Sequence, residues 1–286
     1  MKVLVTGSGQ LAWELSQTVP ATIELIEAPR GVLDITDRSA CLELLQKHQP
    51  NWVVNTAAYT AVDRAEQERE KAFAANEQGA ANVAEACKLV DARLVHVSTD
   101  FVFDGRSNTP YLPEAPVNPL SVYGSSKLAG ERAVASALPS TVIVRTSWLY
   151  SSTGANFVKT ILRLMAEKPE LNVVADQVGS PTWARGLASV LWRGVMNDVA
   201  GGRYHWSDAG PTTWYDFAVA IQELALELNI LDQSIPVRAI PTSAYPTPAA
   251  RPAYSVLDTQ LTENVFGVEA EGWRSQLKAM LLQLKG

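Results

Sequence analysis

Tyr123 and Lys127 stand four residues apart in the segment Tyr123-Gly124-Ser125-Ser126-Lys127. At that spacing a phenol and an ammonium share one face of a helix. Upstream, Ser98-Thr99-Asp100 closes the apolar run Leu94-Val95-His96-Val97, which reads as a buried strand. A hydroxyl at a strand's carboxyl end and a Tyr/Lys pair on the following helix can converge on one carbonyl oxygen. That is an apparatus for proton transfer coupled to hydride transfer. Tyrosine in water ionises at about pH 10, so it needs tuning to work near neutrality. A cation one turn away favours the phenolate, and Lys127 is placed to lower the Tyr123 value. The same ammonium could hold a nicotinamide ribose. Thr99 could donate to the carbonyl oxygen and stabilise negative charge there. The expected step is hydride attack on a ketone carbon, with Tyr123 giving the proton.

A dinucleotide site would complete this set, and the chain opens with one. Val3-Leu4-Val5 reads as a strand, and Gly7-Ser8-Gly9-Gln10-Leu11-Ala12 follows as a G-x-G-x-x-A turn leading into a helix. Gly7 permits the tight turn, Gly9 lets a pyrophosphate approach the backbone, and the small Ala12 lets helix pack on strand. The helix start supplies amide donors near Gln10 and Leu11. The second apolar run leads to Glu27-Ala28-Pro29-Arg30-Gly31. Arg30 could face a 2′-phosphate, which favours NADPH, while Glu27 leaves NADH open. Asp34 and Ile35 are candidates to border the adenine.

The elements that must position these groups alternate in kind. Short apolar runs occur at Val3, Ile23 to Ile26, Trp52 to Asn55, Leu94 to Val97 and Val142 to Val144. Helical patterns lie between them, near 10–17, 39–48, 64–90 and 124–137. Strand and helix in repetition predict an α/β fold, a parallel, doubly wound sheet covered on both faces. After about Tyr150 the rhythm changes. We expect helices over 156–168, 183–197 and 214–228, with a short strand at 171–175. Residues 235–252 hold five prolines and exclude long regular structure. The expected division is a dinucleotide domain over 1–150, with segments near 184–208 returning to it, and a smaller substrate domain over 151–286.

The 286 residues are 47% apolar and carry a formal charge of -6. A large core is available, and without a basic stretch a nucleic-acid partner is not expected. Cys41 and Cys87 lie in amphipathic helical patterns and read as buried thiols of a reducing compartment. The three histidines, His48, His96 and His205, show no ligand spacing. His96, inside a strand, reads as a packed residue. The apolar run after Lys2 is too short for a signal peptide or membrane span, so we expect a soluble cytoplasmic protein.

On these residues the chain resembles the extended short-chain dehydrogenase/reductases, and within them the family of dTDP-4-dehydrorhamnose reductases. The marks are Asn55-Thr56-Ala57-Ala58-Tyr59-Thr60-Ala61-Val62-Asp63, Ser98 to Gly105, Asn118-Pro119-Leu120 running into Tyr123 and Lys127, and Arg145-Thr146-Ser147-Trp148. Pro241 to Pro248, followed by Ala250-Arg251-Pro252, is similar to the family's substrate-domain signature. The resemblance covers nearly the whole chain. It implies a Rossmann-type domain and a smaller α+β substrate domain. It also implies reduction of the C4 ketone of a dTDP-4-keto-6-deoxyhexose with NAD(P)H, giving dTDP-L-rhamnose. By the match Thr99, Tyr123 and Lys127 are catalytic. Ala57, Ala58 and Thr60 would line the cofactor after the fourth strand. Val62 and Trp148 would pack on the sugar ring, Asp100 and Phe101 would border it, and Arg251 would take the nucleotide pyrophosphate. Some relatives associate through acidic residues and magnesium. Glu263, Glu269 and Glu271 are read here as solvated charges, so Mg2+ has no support in the sequence, and monomer and homodimer both stay open.

Two departures stand out. The family's turn usually reads G-x-x-G-x-x-G, a residue longer than here. Phe101 also stands where the family has tyrosine. Related dehydratases carry Asp-Glu directly after the threonine, whereas Asp100 precedes Phe101, so elimination is not expected. Three alternatives remain: another nucleotide-sugar 4-ketoreductase, a 4-epimerase with tightly held NAD, and a non-catalytic dinucleotide-binding regulatory subunit. The last has no need of an intact threonine, tyrosine and lysine.

Overall fold

The computed structural model describes residues 1–285. In chain order the strands are β1 (Lys2–Thr6), β2 (Glu24–Ala28), β3 (Trp52–Asn55), β4 (Arg93–Thr99), β5 (Val142–Thr146), β6 (Leu149–Tyr150), β7 (Leu171–Val174), β8 (Val178–Gly179), β9 (Thr182–Trp183), β10 (Gly202–Trp206), β11 (Thr212–Thr213) and β12 (Val237–Ile240). The helices are α1 (Gln10–Gln17), α2 (Arg38–His48), α3 (Val62–Ala65), α4 (Arg69–Phe73), α5 (Ala80–Leu89), α6 (Val122–Ala137), α7 (Phe157–Glu167), α8 (Ala184–Met196), α9 (Trp214–Glu227), α10 (Gln260–Phe266) and α11 (Trp273–Lys285).

Six strands form one sheet in the order β10-β5-β4-β3-β1-β2, and every pair in it is parallel. This is the doubly wound α/β sheet expected from the alternation. The central strands β3 and β5 are buried at every position, as a sheet covered on both faces requires. One face packs Leu11, Leu15, Leu187, Leu191 and Trp192 from α1 and α8. The other packs Cys41, Leu45, Val83, Cys87 and Val134 from α2, α5 and α6. The chain leaves β1 toward β2 on one side and then passes to β3 on the other. The crevice at this reversal, outside the strands' carboxyl ends, is where α/β sheets take ligands.

Residues 184–206 return to the sheet: α8 covers it and β10 pairs with β5 from Gly202↔Val142 to Trp206↔Thr146. A second core gathers Val158, Ile161, Met165, Phe217, Ile221, Leu277 and Met280 from α7, α9 and α11. The proline-rich stretch holds one four-residue strand, β12, parallel to β7.

Some boundaries differ from expectation. The second strand runs from Glu24 to Ala28 rather than from Ile23 to Ile26. The helix expected over 64–90 is broken into α3, α4, a π-helical turn at Ala74–Gly79, and α5. The turn is where Gly130 of α6 meets the Asn76 carbonyl, so closely that a Cβ at 130 would collide with it. A wider local helix lets the two backbones touch.

Candidate active site

Sequence and close packing together place the catalytic helix. Ser121 caps α6, its hydroxyl accepting from Gly124 N at 3.1 Å. Any side chain at 124 would run into the Phe101 carbonyl oxygen. Only glycine lets the helix start press against the turn that follows β4. Tyr123 then comes near Thr99, the last residue of β4, whose hydroxyl eases ionisation of the phenol. Thr99 Oγ1 also donates to Asp100 Oδ1 (3.0 Å) and accepts from Phe101 N (3.2 Å). The Phe101 ring stands edge-on to Tyr123.

Lys127 is buried one turn further along α6, and its Nζ donates to Val97 O of β4 at 2.7 Å. Burial pushes the lysine down to about 8, with the Glu131 carboxylate opposing that shift. The expected lowering of the phenol is not found. Burial pushes Tyr123 up to about 12, eased by Thr99 and reinforced by Asp100. The reason is local: desolvation among its neighbours outweighs the help from Thr99, and Lys127 directs its ammonium to the Val97 carbonyl. Tyr123 is therefore held as the protonated acid at neutral pH, the form a ketone reduction uses. Asp100 is buried against Thr99 and Ser255, and its carboxyl is pushed up to about 6 by desolvation.

Behind these groups lies a buried charged strut. Glu131 takes a bidentate pair from Arg145 of β5, Nε to Oε1 at 2.8 Å and Nη2 to Oε2 at 2.7 Å. Ser98 Oγ donates to the same Oε1 at 2.6 Å. The strut locks α6 to β4 and β5 beside Thr99, Tyr123 and Lys127. Asn76 adds a second tie. Its side chain bonds both the N–H and the carbonyl of Tyr59 and donates to Ser126 Oγ, which itself donates to Tyr123 O. Neither Glu131 nor Asn76 stood out in the sequence reading. An arginine in the middle of the apolar run Val142–Thr146 was the one visible signal.

The first turn fits a dinucleotide. Gly7 has φ +94°, and a Cβ there would strike Thr56 Oγ1 at 2.8 Å and Ala57 N at 3.1 Å. At Gly9 a Cβ would enter open space, and no side chain caps the first amides of α1. Exposed Ser8 and Gly9, with Gln10 and Leu11 behind them, thus leave a cradle and donors for phosphate. Ala57 sits beside this turn, and Ala57, Ala58 and Thr60 follow β3, the third strand in chain order, not the fourth. Arg30 is exposed at the far end, 3.7 Å from Asp34 Oδ2. Asp34 is tied into its own turn by Thr36. Ile35, expected near the adenine, is a core residue packed against Gly79 instead.

On the sugar side, two placements change. Arg251 makes a bidentate pair with Asp63, at 3.0 and 2.8 Å, one residue beyond Val62 at the start of α3. It spans the crevice from the proline-rich segment. Trp148 has φ +45°, a left-handed conformation bulky residues seldom adopt. Its indole, whose face was expected on the sugar, is stacked on Trp214 at 3.5 Å, nearly parallel. His96 is buried, bonded to Asn55 at 3.2 Å, and its imidazole is held neutral by desolvation. Both cysteines are buried and free. Among the described residues no group of three His, Cys, Asp or Glu is arranged to hold a metal ion, and no helix is long and apolar enough to cross a membrane. A cavity of about 790 Å³ near Thr18, Trp183, Arg185 and Glu271 contains none of the expected site residues.

A glycine turn at the switch point of a parallel sheet, with a threonine at the end of β4 and a tyrosine and lysine on α6, defines a short-chain dehydrogenase/reductase of the extended kind. More particularly, the chain belongs to the RmlD substrate binding domain family, whose profile matches residues 1–285. It is similar to a dTDP-4-dehydrorhamnose reductase of Burkholderia thailandensis, at 40% identity with 96% of each chain covered. Among solved structures, a dTDP-4-dehydrorhamnose reductase of Clostridium acetobutylicum superposes with TM-score 0.93 at 39% identity, covering all of both chains. The Bacillus anthracis dTDP-4-dehydrorhamnose reductase, solved in complex with NADP, gives 0.92 at 35% identity, covering 99% of each.

Proposed function

We propose that the chain reduces the C4 ketone of dTDP-4-dehydro-6-deoxy-L-mannose (dTDP-4-dehydrorhamnose) to give dTDP-L-rhamnose. The substrate rests on the activity named for relatives matched over nearly their full length. The reaction class rests on the Thr99–Tyr123–Lys127 set, which is the observation that carries the reading. NADPH is the preferred cofactor, supported by the NADP complex of the Bacillus anthracis relative and by Arg30 beyond the carboxyl end of β2.

When bound, the reduced nicotinamide supplies the hydride. The remaining work belongs to the chain's own residues. Thr99 turns its one hydroxyl hydrogen from Asp100 to the ketone oxygen and fixes its direction. Tyr123 gives its phenolic proton to that oxygen as the carbon is reduced, converting ketone to alcohol. The Lys127 ammonium, one turn on along α6, steadies with its charge the phenolate left by the transfer. Gly7, Ser8, Gly9, Gln10 and Leu11 hold the pyrophosphate, with Ala57, Ala58 and Thr60 along the crevice. Val62, Asp100, Phe101 and the edge of Trp148 border the sugar. Arg251 offers its guanidinium to the nucleotide diphosphate, exchanging with Asp63.

In this reading residues 1–150, joined by 184–208, carry the dinucleotide, and most of 151–286 carries the sugar nucleotide. The enzyme works in the cytoplasm, as monomer or homodimer. The test is loss of nicotinamide absorbance in the near ultraviolet with the keto-sugar nucleotide and stoichiometric NADPH. Steady loss is expected. Turnover with only catalytic cofactor and no net loss would mean an epimerase. No reaction at adequate enzyme would leave a binding module. Tyr123→Phe should keep cofactor affinity and lose about 10²–10⁴-fold in turnover, and a near-full rate would remove Tyr123 as the acid.

A further inference from the structure

The helix that begins at the phosphate turn is also tied sideways to the second half of the chain. Gln10, the first residue of α1, faces the segment 151–156. Its Nε2 donates to Ala155 O at 3.4 Å, and its Oε1 accepts from Asn156 Nδ2 at 2.9 Å. One turn on, the buried Glu14 accepts from Ser151 Oγ at 2.7 Å. Asn156 is used in three directions at once. Besides Gln10, its Nδ2 reaches Ser151 O at 2.7 Å, while its Oδ1 accepts from Lys159 N at 3.1 Å as the N-cap of α7. One planar amide therefore joins the start of α1, the connecting loop and the start of α7.

The contact continues toward the sugar side. Phe157, the residue after Asn156, packs on Trp214 with ring centroids 4.5 Å apart, and Trp214 carries Trp148 stacked on its face. A continuous line of packed groups runs from the phosphate turn through Gln10, Asn156, Phe157 and Trp214 to Trp148.

We propose that Asn156 is a positioning residue that couples dinucleotide binding to sugar-nucleotide binding. The proposal rests on the reading above of the first turn and of the Trp148 region. A pyrophosphate held by the backbone around Gly9 and Gln10 orders the start of α1. Gln10 then holds Asn156, and Asn156 sets the start of α7 with the stacked indoles behind it. The ordering cost met by the first ligand is not met again by the second. Such a coupling is reciprocal: each ligand must tighten the other by the same factor.

The test uses dTDP, which has no ketone and leaves NADPH unreacted. Its Kd is measured by calorimetry on the full chain with and without saturating NADPH. The wild type should bind dTDP about fivefold or more tighter with NADPH present. Asn156→Ser keeps a neutral capping hydroxyl but is too short to reach Gln10. It should bring the ratio to within about twofold of unity while leaving the Kd for dTDP alone within a similar factor. Asn156→Asp keeps cap and shape without the amide hydrogens, and should lose the ratio as well. A wild-type ratio near one, or a full ratio in both variants, overturns the coupling alone, since both ligands still bind. Failure of the wild type to bind either ligand overturns the coupling together with the functional reading beneath it.

Discussion

The Phe101 ring stands edge-on to the ring of Tyr123, with centroids 5.4 Å apart and planes at 76°. An apolar side chain thus walls the proton donor at the position where relatives were expected to offer a hydroxyl. Phe101→Tyr should restore one hydrogen bond to the sugar nucleotide. One bond is worth about 1 kcal/mol, so KM for the sugar nucleotide should fall about fivefold with kcat little changed. Steady-state kinetics decide it, and an unmoved KM would mean that this position does not meet the sugar.

Lys127 gives the enzyme an alkaline limit. Burial brings its ammonium from 10.5 down to about 8, so the folded chain releases this proton before the unfolded chain does. Between those values the unfolded state binds more protons, and this group's contribution to stability rises with pH across that window. Turnover should move in the opposite direction, because the cation one helical turn from Tyr123 is lost as pH rises through about 8. The kcat–pH profile should fall there, and the residual activity of Lys127→Met should lack that limb.

Arg30 is exposed, and its neighbour Asp34 lies 3.7 Å away, so it is free to turn toward a 2′-phosphate. Arg30→Ala should reduce the ratio of kcat/KM for NADPH over NADH by about tenfold, the worth of one charge-assisted contact. The two cofactors are compared at one sugar-nucleotide concentration. An unchanged ratio would return Arg30 to the status of a surface charge.

The Glu131–Arg145 pair is buried on both sides, each side chain 2% exposed. Arg145→Met leaves a carboxylate without its partner and should cost about 3–5 kcal/mol in urea unfolding. Replacing both residues with apolar ones of similar size should recover much of that loss. If the single change proved mild, the pair would not be the strut that seats α6.

What the sequence made legible was local. The strand–turn–helix at Gly7, the Tyr123/Lys127 spacing and the Ser-Thr at the end of β4 each lie within one or two neighbouring elements, and each stands where it was expected. What escaped depends on contacts between distant segments. The run from 64 to 90 is rich in helix formers, and nothing in it foretells the π-helical turn where Gly130 of another helix meets the Asn76 carbonyl. Strands such as β6, β8, β9 and β11 are two residues long, too short for any periodicity. The phenol's tuning was misjudged because spacing can place Lys127 on the right face but reveals neither the desolvation of Tyr123 nor that the ammonium donates to Val97 O. Arg251 was legible as a guanidinium near the site, but its partner Asp63 lies almost two hundred positions away and no local pattern links them.

The edge strand β10 reaches the sheet only after elements of the second core have been made, and it covers β5 along five residues. During synthesis on the ribosome, the six-stranded sheet therefore waits with one flank bare until residue 206 has emerged. A nascent chain or truncated product ending near 150 would present β5 as an open edge, ready to pair with another molecule. The order in which this protein is made thus sets a window of vulnerability that closes only when its two halves are already interleaved.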